Sequence, residues 1–209
     1  MRRAVDVIAA VVAGTVLLLP GLLIALLVRL RLGSPVLFWQ NRSGLNGVEF
    51  RICKFRTMRD EAYPGEPDPD RLPRLGRLLR TASLDEIPQI WNVLRGEMSV
   101  IGPRPTLPEQ VRHYSERQRR RLTIRPGITG WAQVNGRNSL SWPERIELDL
   151  WYIEHRSLLL DLRILVLTFL RWLRPEGVTA EGGINPGFPV PAGDEQPARS
   201  VARGSAASG

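Results

Sequence analysis

Two adjacent acids, Asp85 and Glu86, stand in the run Ser83-Leu84-Asp85-Glu86, with Arg80 five residues before the aspartate and Pro88 just after. Ser83 with Glu86 three positions later spells a helix capping box, and acids in a first helical turn complement the helix dipole. On this segment alone, ordinary helix-start signals explain the pair as well as a working carboxylate dyad does. Three features favour chemistry. Pro88 makes the helix start unusual, and Arg80 is near enough to hold a phosphate beside Asp85. An aspartate at the positive end of a helix also stays ionised, as a carboxylate nucleophile must. Attack by such a carboxylate on phosphorus gives an acyl-phosphate, an intermediate able to pass its group onward. The neighbouring glutamate could then bind metal or handle protons.

Arg104, between Pro103 and Pro105, sits on a backbone stiffened from both sides, which suits bidentate phosphate binding. A solvated arginine on a surface turn is the competing reading. Arg125-Pro126-Gly127-Ile128-Thr129-Gly130 and Asn135-Gly136-Arg137-Asn138 frame Trp131; glycine-rich turns present backbone N–H groups to anions, and Arg125 is a candidate phosphate ligand beside them. Arg42, Lys54 and Arg56 read as solvated charges or phosphate ligands. The cluster Arg112, Arg117, Arg119, Arg120, Arg121 reads as a solvated or headgroup-facing surface and not a nucleic-acid reader, since no aromatic residues interleave with it. Asp68-Pro69-Asp70 has the spelling of a metal-binding Asp-x-Asp but lies in a proline-rich loop with no preceding strand, so it reads as accidental. P-loop, Gly-x-Ser-x-Gly and His-Glu-x-x-His patterns are absent from the sequence.

These residues must be positioned by a chain of 209 residues, 43% hydrophobic, with a formal charge of +8. That length suits one domain with an appendage, and the basic balance suits phosphate-bearing partners. The sole cysteine, Cys53, excludes an intramolecular disulfide, and with only His113 and His155 beside it a structural zinc cluster is implausible. A reducing, cytoplasm-facing compartment follows.

Residues 7–28 carry no charge and are long enough to cross a bilayer as a helix. A cleaved signal peptide is disfavoured by the length of the run and the lack of a small-x-small site. A plain transmembrane anchor competes with a re-entrant hairpin. Pro20-Gly21 breaks the run at its centre, and Arg2, Arg3, Arg29 and Arg31 make both ends basic, the mark of ends that stay on one side. The hairpin, broken at Pro20, is the favoured reading. Beyond it the pattern predicts strands at 36–40 and 48–55 around a turn ending in Asn-Gly, a loop at 63–73, and a short basic helix at 75–79. A helix at 83–94 would place Ile87, Ile90, Trp91 and Leu94 on one face. Next come a strand end at 100–105, a basic helix at 108–122 and a short strand at 131–134. A helix at 142–154 and an apolar helix at 158–173, lying in the membrane surface or capping the core, complete the ordered part. From Gly177 the composition predicts a disordered tail. The class is α+β, mostly helical, with a small β-hairpin and interfacial amphipathic helices. Its parts are a membrane-inserted segment at 1–32, a catalytic domain at 33–176 and a tail at 177–209.

Four motifs in order, Lys54-Phe55-Arg56-Thr57-Met58, Ser83-Leu84-Asp85-Glu86-Ile87-Pro88-Gln89, Val100-Ile101-Gly102-Pro103-Arg104-Pro105 and the run from Arg125 through Trp131-Ala132-Gln133-Val134 to Arg137, together resemble the bacterial sugar transferases, the monotopic phosphoglycosyl transferases. The resemblance covers residues 7–176 and looks like the minimal catalytic form. It implies transfer of a sugar phosphate from a UDP-sugar to a polyprenyl (undecaprenyl) phosphate with release of UMP, at the cytoplasmic face of the inner membrane, with Mg²⁺ as cofactor. It implies Asp85 as nucleophile of a covalent phospho-sugar intermediate, Asp85 and Glu86 as metal-binding dyad, and Arg80 and Arg137 as phosphate-binding arginines. Leu19 stands where relatives often carry Ser before the membrane proline, so the detailed shape of the break is not carried over. The competing functions are a metal-dependent glycosyltransferase that moves the sugar alone, and a membrane-tethered basic adaptor with no catalysis.

Overall fold

The structure, a computed structural model, describes residues 2–63, 66–136 and 140–173. The tail expected from residue 177 and the phosphate ligand expected at Arg137 lie outside the described residues. Helices dominate, with two small two-stranded sheets, an α+β arrangement.

Helices α1 (Arg2–Val16) and α2 (Leu18–Leu32) meet at Leu17 with a bend of 61°. Among the described residues no single helix is long and apolar enough to cross a membrane, whereas this bent pair is, by length and composition. The break expected at Pro20 falls three residues earlier. Proline lacks the N–H that would bond the Val16 carbonyl and its ring crowds that carbonyl, so the ladder fails ahead of Pro20, which then fits in the first turn of α2. Both helices are built into the rest of the protein. Arg3 donates to the carbonyls of Val93 (2.6 Å) and Leu94 (2.9 Å), and Asp6 accepts from Ser99 Oγ (2.8 Å) and the Val100 N–H (2.9 Å). At the other end the Leu32 carbonyl accepts from Arg56. Ala10 packs with Phe50, Ile52, Val93 and Met98, and Ile24 and Val28 with Phe55 and Leu79. The remaining faces are bare: Ile8, Val12, Leu19, Leu22, Leu26 and Leu30 are exposed.

Strands β1 (Leu37–Ser43) and β2 (Glu49–Phe55) form the expected antiparallel hairpin, Leu37 opposite Phe55 and Ser43 opposite Glu49. Its turn holds Asn46 and Gly47 at positive φ, the conformation for which Asn-Gly is suited. Helix α3 (Arg74–Thr81) follows the loop and α4 (Gln89–Arg95) comes next. Strands β3 (Ser99–Ile101) and β4 (Gly127–Thr129) pair in parallel. The strand expected at 131–134 is helix α7 (Trp131–Asn135), because Trp131 and Val134, three apart, face one core with Ile101, Tyr152 and Ile164. The true strand lies where glycine is needed: a Cβ on Gly127 would stand 2.0 Å from the Gly102 nitrogen.

The single helix expected at 108–122 is broken into α5 (Pro108–Arg112), α6 (Glu116–Arg119) and a tight turn over Arg120–Thr123. Ser115 restarts the chain, accepting from the Gln118 N–H while the Gln118 side chain returns to the Ser115 N–H (2.9 Å), a capping box. The break turns Arg121 inward, where it is only 4% exposed, so this member of the basic cluster is a core residue and not a solvated one. Helix α8 (Trp142–Glu154) starts on another capping box, Ser141 with Glu144. Helix α9 (Leu158–Leu173) buries Leu160 and Ile164 and exposes Leu159, Leu162, Val166 and Phe169.

Candidate active site

Ser83 does not cap a helix. Its φ is +56°, its side chain makes no cap bond, and its N–H closes the end of α3 on the Arg80 carbonyl (3.1 Å). Pro88 is the reason: a helix running from residue 84 would need its N–H and would clash with its ring. The chain instead forms a tight turn over Leu84–Glu86, and α4 begins only after the proline. The acids thus sit on a corner between α3 and α4, not in the first turn of a long helix. Ile87 and Ile90 lie toward the α1–α2 bend, near Gly21 and Gly14, while Trp91 and Leu94 are exposed.

Three cations converge on the corner. Lys54 Nζ, from β2, lies 2.7 Å from Glu86 Oε1 and 3.9 Å from Asp85 Oδ2. Arg104 Nη2, from the segment after β3, meets the same Glu86 Oε1 at 2.7 Å. Arg80, from α3, is fixed through Nε to Thr57 Oγ1 (2.9 Å), and its charge reaches Asp85. Two of the expected ligands are engaged elsewhere: Arg56 holds the end of α2 and Asp60, and Arg125 Nε donates to the Gly96 carbonyl at 2.8 Å. Asp68 of the Asp-x-Asp run pairs with Arg71 (3.2 Å) in its own loop.

This geometry separates two acids that differ little in sequence. Burial, then the charge of Glu86, pushes the Asp85 carboxyl up to about 6 against the pull of Lys54, Arg104 and Arg80. Burial also acts to raise Glu86, but the charges and hydrogen bonds of Arg104 and Lys54 outweigh it and hold Glu86 well below the usual carboxylate range. At neutral pH both are ionised, Glu86 tightly paired and Asp85 only loosely so. If Asp85 must be ionised to react, kcat/KM should be flat above neutrality and fall about tenfold per unit as pH drops below about 6, a profile measurable with the purified enzyme. An acid limb near the ordinary aspartate value of about 4 would show that burial does not raise the carboxyl in the working enzyme.

Among the described residues no group of three or more His, Cys, Asp or Glu side chains gathers as a metal cage. Asp85 and Glu86 fit the donor set of a Mg²⁺ ion, which takes one or two carboxylates and fills its octahedron with water and substrate phosphate. With Glu86 Oε1 already shared by two cations, the Asp85 carboxylate and Glu86 Oε2 are the donors left for it.

Several residues that support the site gave no sequence signal of function. Asn92 in α4 accepts from the Cys53 N–H (3.1 Å) and donates to the Arg51 carbonyl (2.8 Å) and to Glu97 (2.7 Å), pinning β2 and thus Lys54 beside the corner. Asp6 does the same for α1 against β3. Asp149, 1% exposed, pairs with Arg121 at 2.6 Å. A polar residue at an inward helical position is the available sign in each case.

The carboxylate pair, Asp85 buried and Glu86 half-buried, is ringed by Lys54, Arg80 and Arg104 on a domain that carries a bare apolar helix pair. The chain belongs to the bacterial sugar transferase family, which matches residues 1–175. It is 52% identical over 154 residues to EpsL of Bacillus subtilis (strain 168), an uncharacterized sugar transferase, with 72% of this chain and 76% of that one covered. The UDP-glucose:undecaprenyl-phosphate glucose-1-phosphate transferase of Xanthomonas campestris pv. campestris is 44% identical over 168 residues, covering 73% of this chain and 35% of the relative. The protein of the same name from Caulobacter vibrioides (strain ATCC 19089 / CIP 103742 / CB 15) is 44% identical over 182 residues, covering 80% and 67%. The chain thus spans about a third of the Xanthomonas protein's length and most of the other two.

Proposed function

We propose that this chain transfers a sugar phosphate from a UDP-sugar to polyprenyl (undecaprenyl) phosphate and releases UMP, through a phospho-sugar ester on Asp85. The division of labour within the dyad carries the reading. Glu86 fixes Lys54 and Arg104, while Asp85 stays buried, loosely paired and raised in pKa, a carboxylate available to react.

In the first step an Asp85 carboxylate oxygen bonds to the sugar-bearing phosphorus, the bond from that phosphorus to the bridging oxygen breaks, and UMP departs with its electron pair. In the second, a phosphate oxygen of the polyprenyl phosphate bonds to the same phosphorus and the Asp85 carboxylate leaves, giving the lipid-linked diphosphate sugar. Lys54, Arg80 and Arg104 hold the phosphate oxygens on which negative charge gathers. Asp85 and Glu86 would hold a Mg²⁺ ion, which would add to the neutralisation of the diphosphate.

The lipid acceptor explains the helix pair. Residues 1–32 form a re-entrant, membrane-inserted segment, and residues 33–176 the catalytic domain on the cytoplasmic face of the inner membrane. Support for entry and exit on one side comes from its two ends, since Arg3 and Asp6 bond residues 93–100 and Leu32 bonds Arg56, all within the same catalytic domain. The exposed side of α9 lies along the membrane surface. Relatives named undecaprenyl-phosphate glucose-1-phosphate transferases support the choice of acceptor and a UDP-activated donor.

Incubation of the purified chain in vesicles with undecaprenyl phosphate, Mg²⁺ and a panel of UDP-sugars should release UMP with one of them, and EDTA should lower the rate by about a hundredfold or more. UDP as product would establish a glycosyltransferase that moves the sugar alone. Absence of nucleotide release with every donor would leave the basic adaptor.

A further inference from the structure

Arg104 reaches Glu86 from the short segment 103–106, and each residue of that segment is gripped from outside it. The Pro103 carbonyl accepts from the Gly127 N–H (2.9 Å), the Arg104 carbonyl from Arg121 Nη2 (3.0 Å) and the Pro105 carbonyl from Arg42 Nη1 (3.4 Å). The Thr106 carbonyl accepts from the Ser43 N–H (2.9 Å), and Thr106 Oγ1 from Tyr114 OH (3.2 Å).

Arg121 is the centre of this grip. Besides the Arg104 carbonyl, its guanidinium donates to Asp149 Oδ2 (2.6 Å) and to Tyr114 OH (2.6 Å), so one side chain ties α8, the residues after α5 and the Arg104 backbone together. Stability alone is a poor account of it. Removing two charges from water costs about as much as their pairing returns, and an apolar pair of similar volume serves a core as well. Among the described residues Asp149 Oδ1 is buried with no hydrogen-bond partner, and burial pushes the Asp149 carboxyl up despite Arg121 beside it. What an apolar pair could not do is donate to the Arg104 carbonyl.

We infer that the buried Arg121–Asp149 pair, with Tyr114, is a positioning device that aims Arg104 at Glu86 and thereby sets the rate of phosphoryl transfer. Neither residue touches substrate; both act through Arg104. The inference rests on the reading of the Asp85–Glu86 corner as the reacting centre. Planar, multi-donor geometry is essential to it: a lysine ammonium at position 121 keeps the charge but lacks the fork that meets a carboxylate, a phenol and a carbonyl at once.

The test is a double-mutant cycle on the full chain in vesicles, read as kcat and KM for UMP release. Arg104→Ala should lower kcat about a hundredfold, the range seen when one preorganised donor is removed. Asp149→Asn should lower kcat about tenfold with KM within about threefold, and in the Arg104→Ala background should change kcat by less than about twofold, because coupled residues are not additive. Arg121→Lys should be as slow as Asp149→Asn. Equal factors for Asp149→Asn in both backgrounds, unchanged kcat, or full rescue by Arg121→Lys would overturn the device while leaving the reacting centre intact. Full activity of Arg104→Ala would overturn both. Should Asp149→Asn fail to fold, Tyr114→Phe replaces it in the same cycle, with a loss of about threefold expected in the parent and none beside Arg104→Ala; any other pattern counts against the proposal.

Discussion

Asp85→Asn is expected to lower turnover by about three orders of magnitude or more, the scale on which removal of a covalent nucleophile acts. The amide is close to isosteric on the tight turn of Leu84–Glu86, so the fold and its thermal unfolding should change little. A second readout separates loss of the nucleophile from loss of a substrate ligand. Intact-mass measurement after incubation of the parent chain with donor alone should show a phospho-sugar adduct that maps to residue 85, and the Asp85→Asn protein should show none. A variant that turns over at the parent rate, or a parent that forms product yet never carries the adduct, would end the covalent proposal.

Gly127→Ala should have a large effect on the fold. The added Cβ would stand 2.0 Å from the Gly102 nitrogen and 2.4 Å from the Thr129 carbonyl oxygen, backbone atoms that cannot rotate away. Relief requires opening the β3–β4 pairing, which also carries the Gly127 N–H to the Pro103 carbonyl at the root of the Arg104 segment. A cost of about 3 kcal/mol or more is expected, overpacking at the severe end of its range. For a chain of this size that lowers the unfolding midpoint by roughly 6–12 °C. Gly14→Ala is the internal control: its Cβ would meet Ile90 at 3.6 Å, an ordinary contact, and alanine suits a helix better than glycine. Comparable destabilisation of the two variants would show that the close approach at Gly127 is not what holds these strands.

The parts of this arrangement that local chemistry dictates are legible without the structure. Asp85 and Glu86, Lys54, Arg80 and Arg104 are all candidates by residue type and setting, and Asn46-Gly47 marks the hairpin. The sequence misleads where one signal is weighed without its neighbour. Ser83 and Glu86 spell a capping box, yet Pro88 forbids the helix that it would cap. Trp131 and Val134 favour strands by type, whereas their spacing of three is helical. The Arg117–Arg121 run looks uniformly solvated until the Ser115–Gln118 box is seen to restart the chain and rotate Arg121 inward. Arg56 and Arg125 are chemically fit for phosphate, but tertiary carbonyl partners claim them. Pairings such as Arg121 with Asp149, or Asp6 with Ser99, join residues far apart in the chain, and no local rule reports them.

Glu86 Oε1 is a shared acceptor, with Lys54 arriving from the hairpin and Arg104 from the segment after β3. Its side chain is therefore a keystone between two halves of the molecule. Neutralising that keystone would unfasten both cations and let them drift toward the neighbouring aspartate. Sluggish turnover in a glutamine variant would accordingly combine disarray of the cation frame with a weakened metal ligand, and neither effect needs the residue to carry a proton.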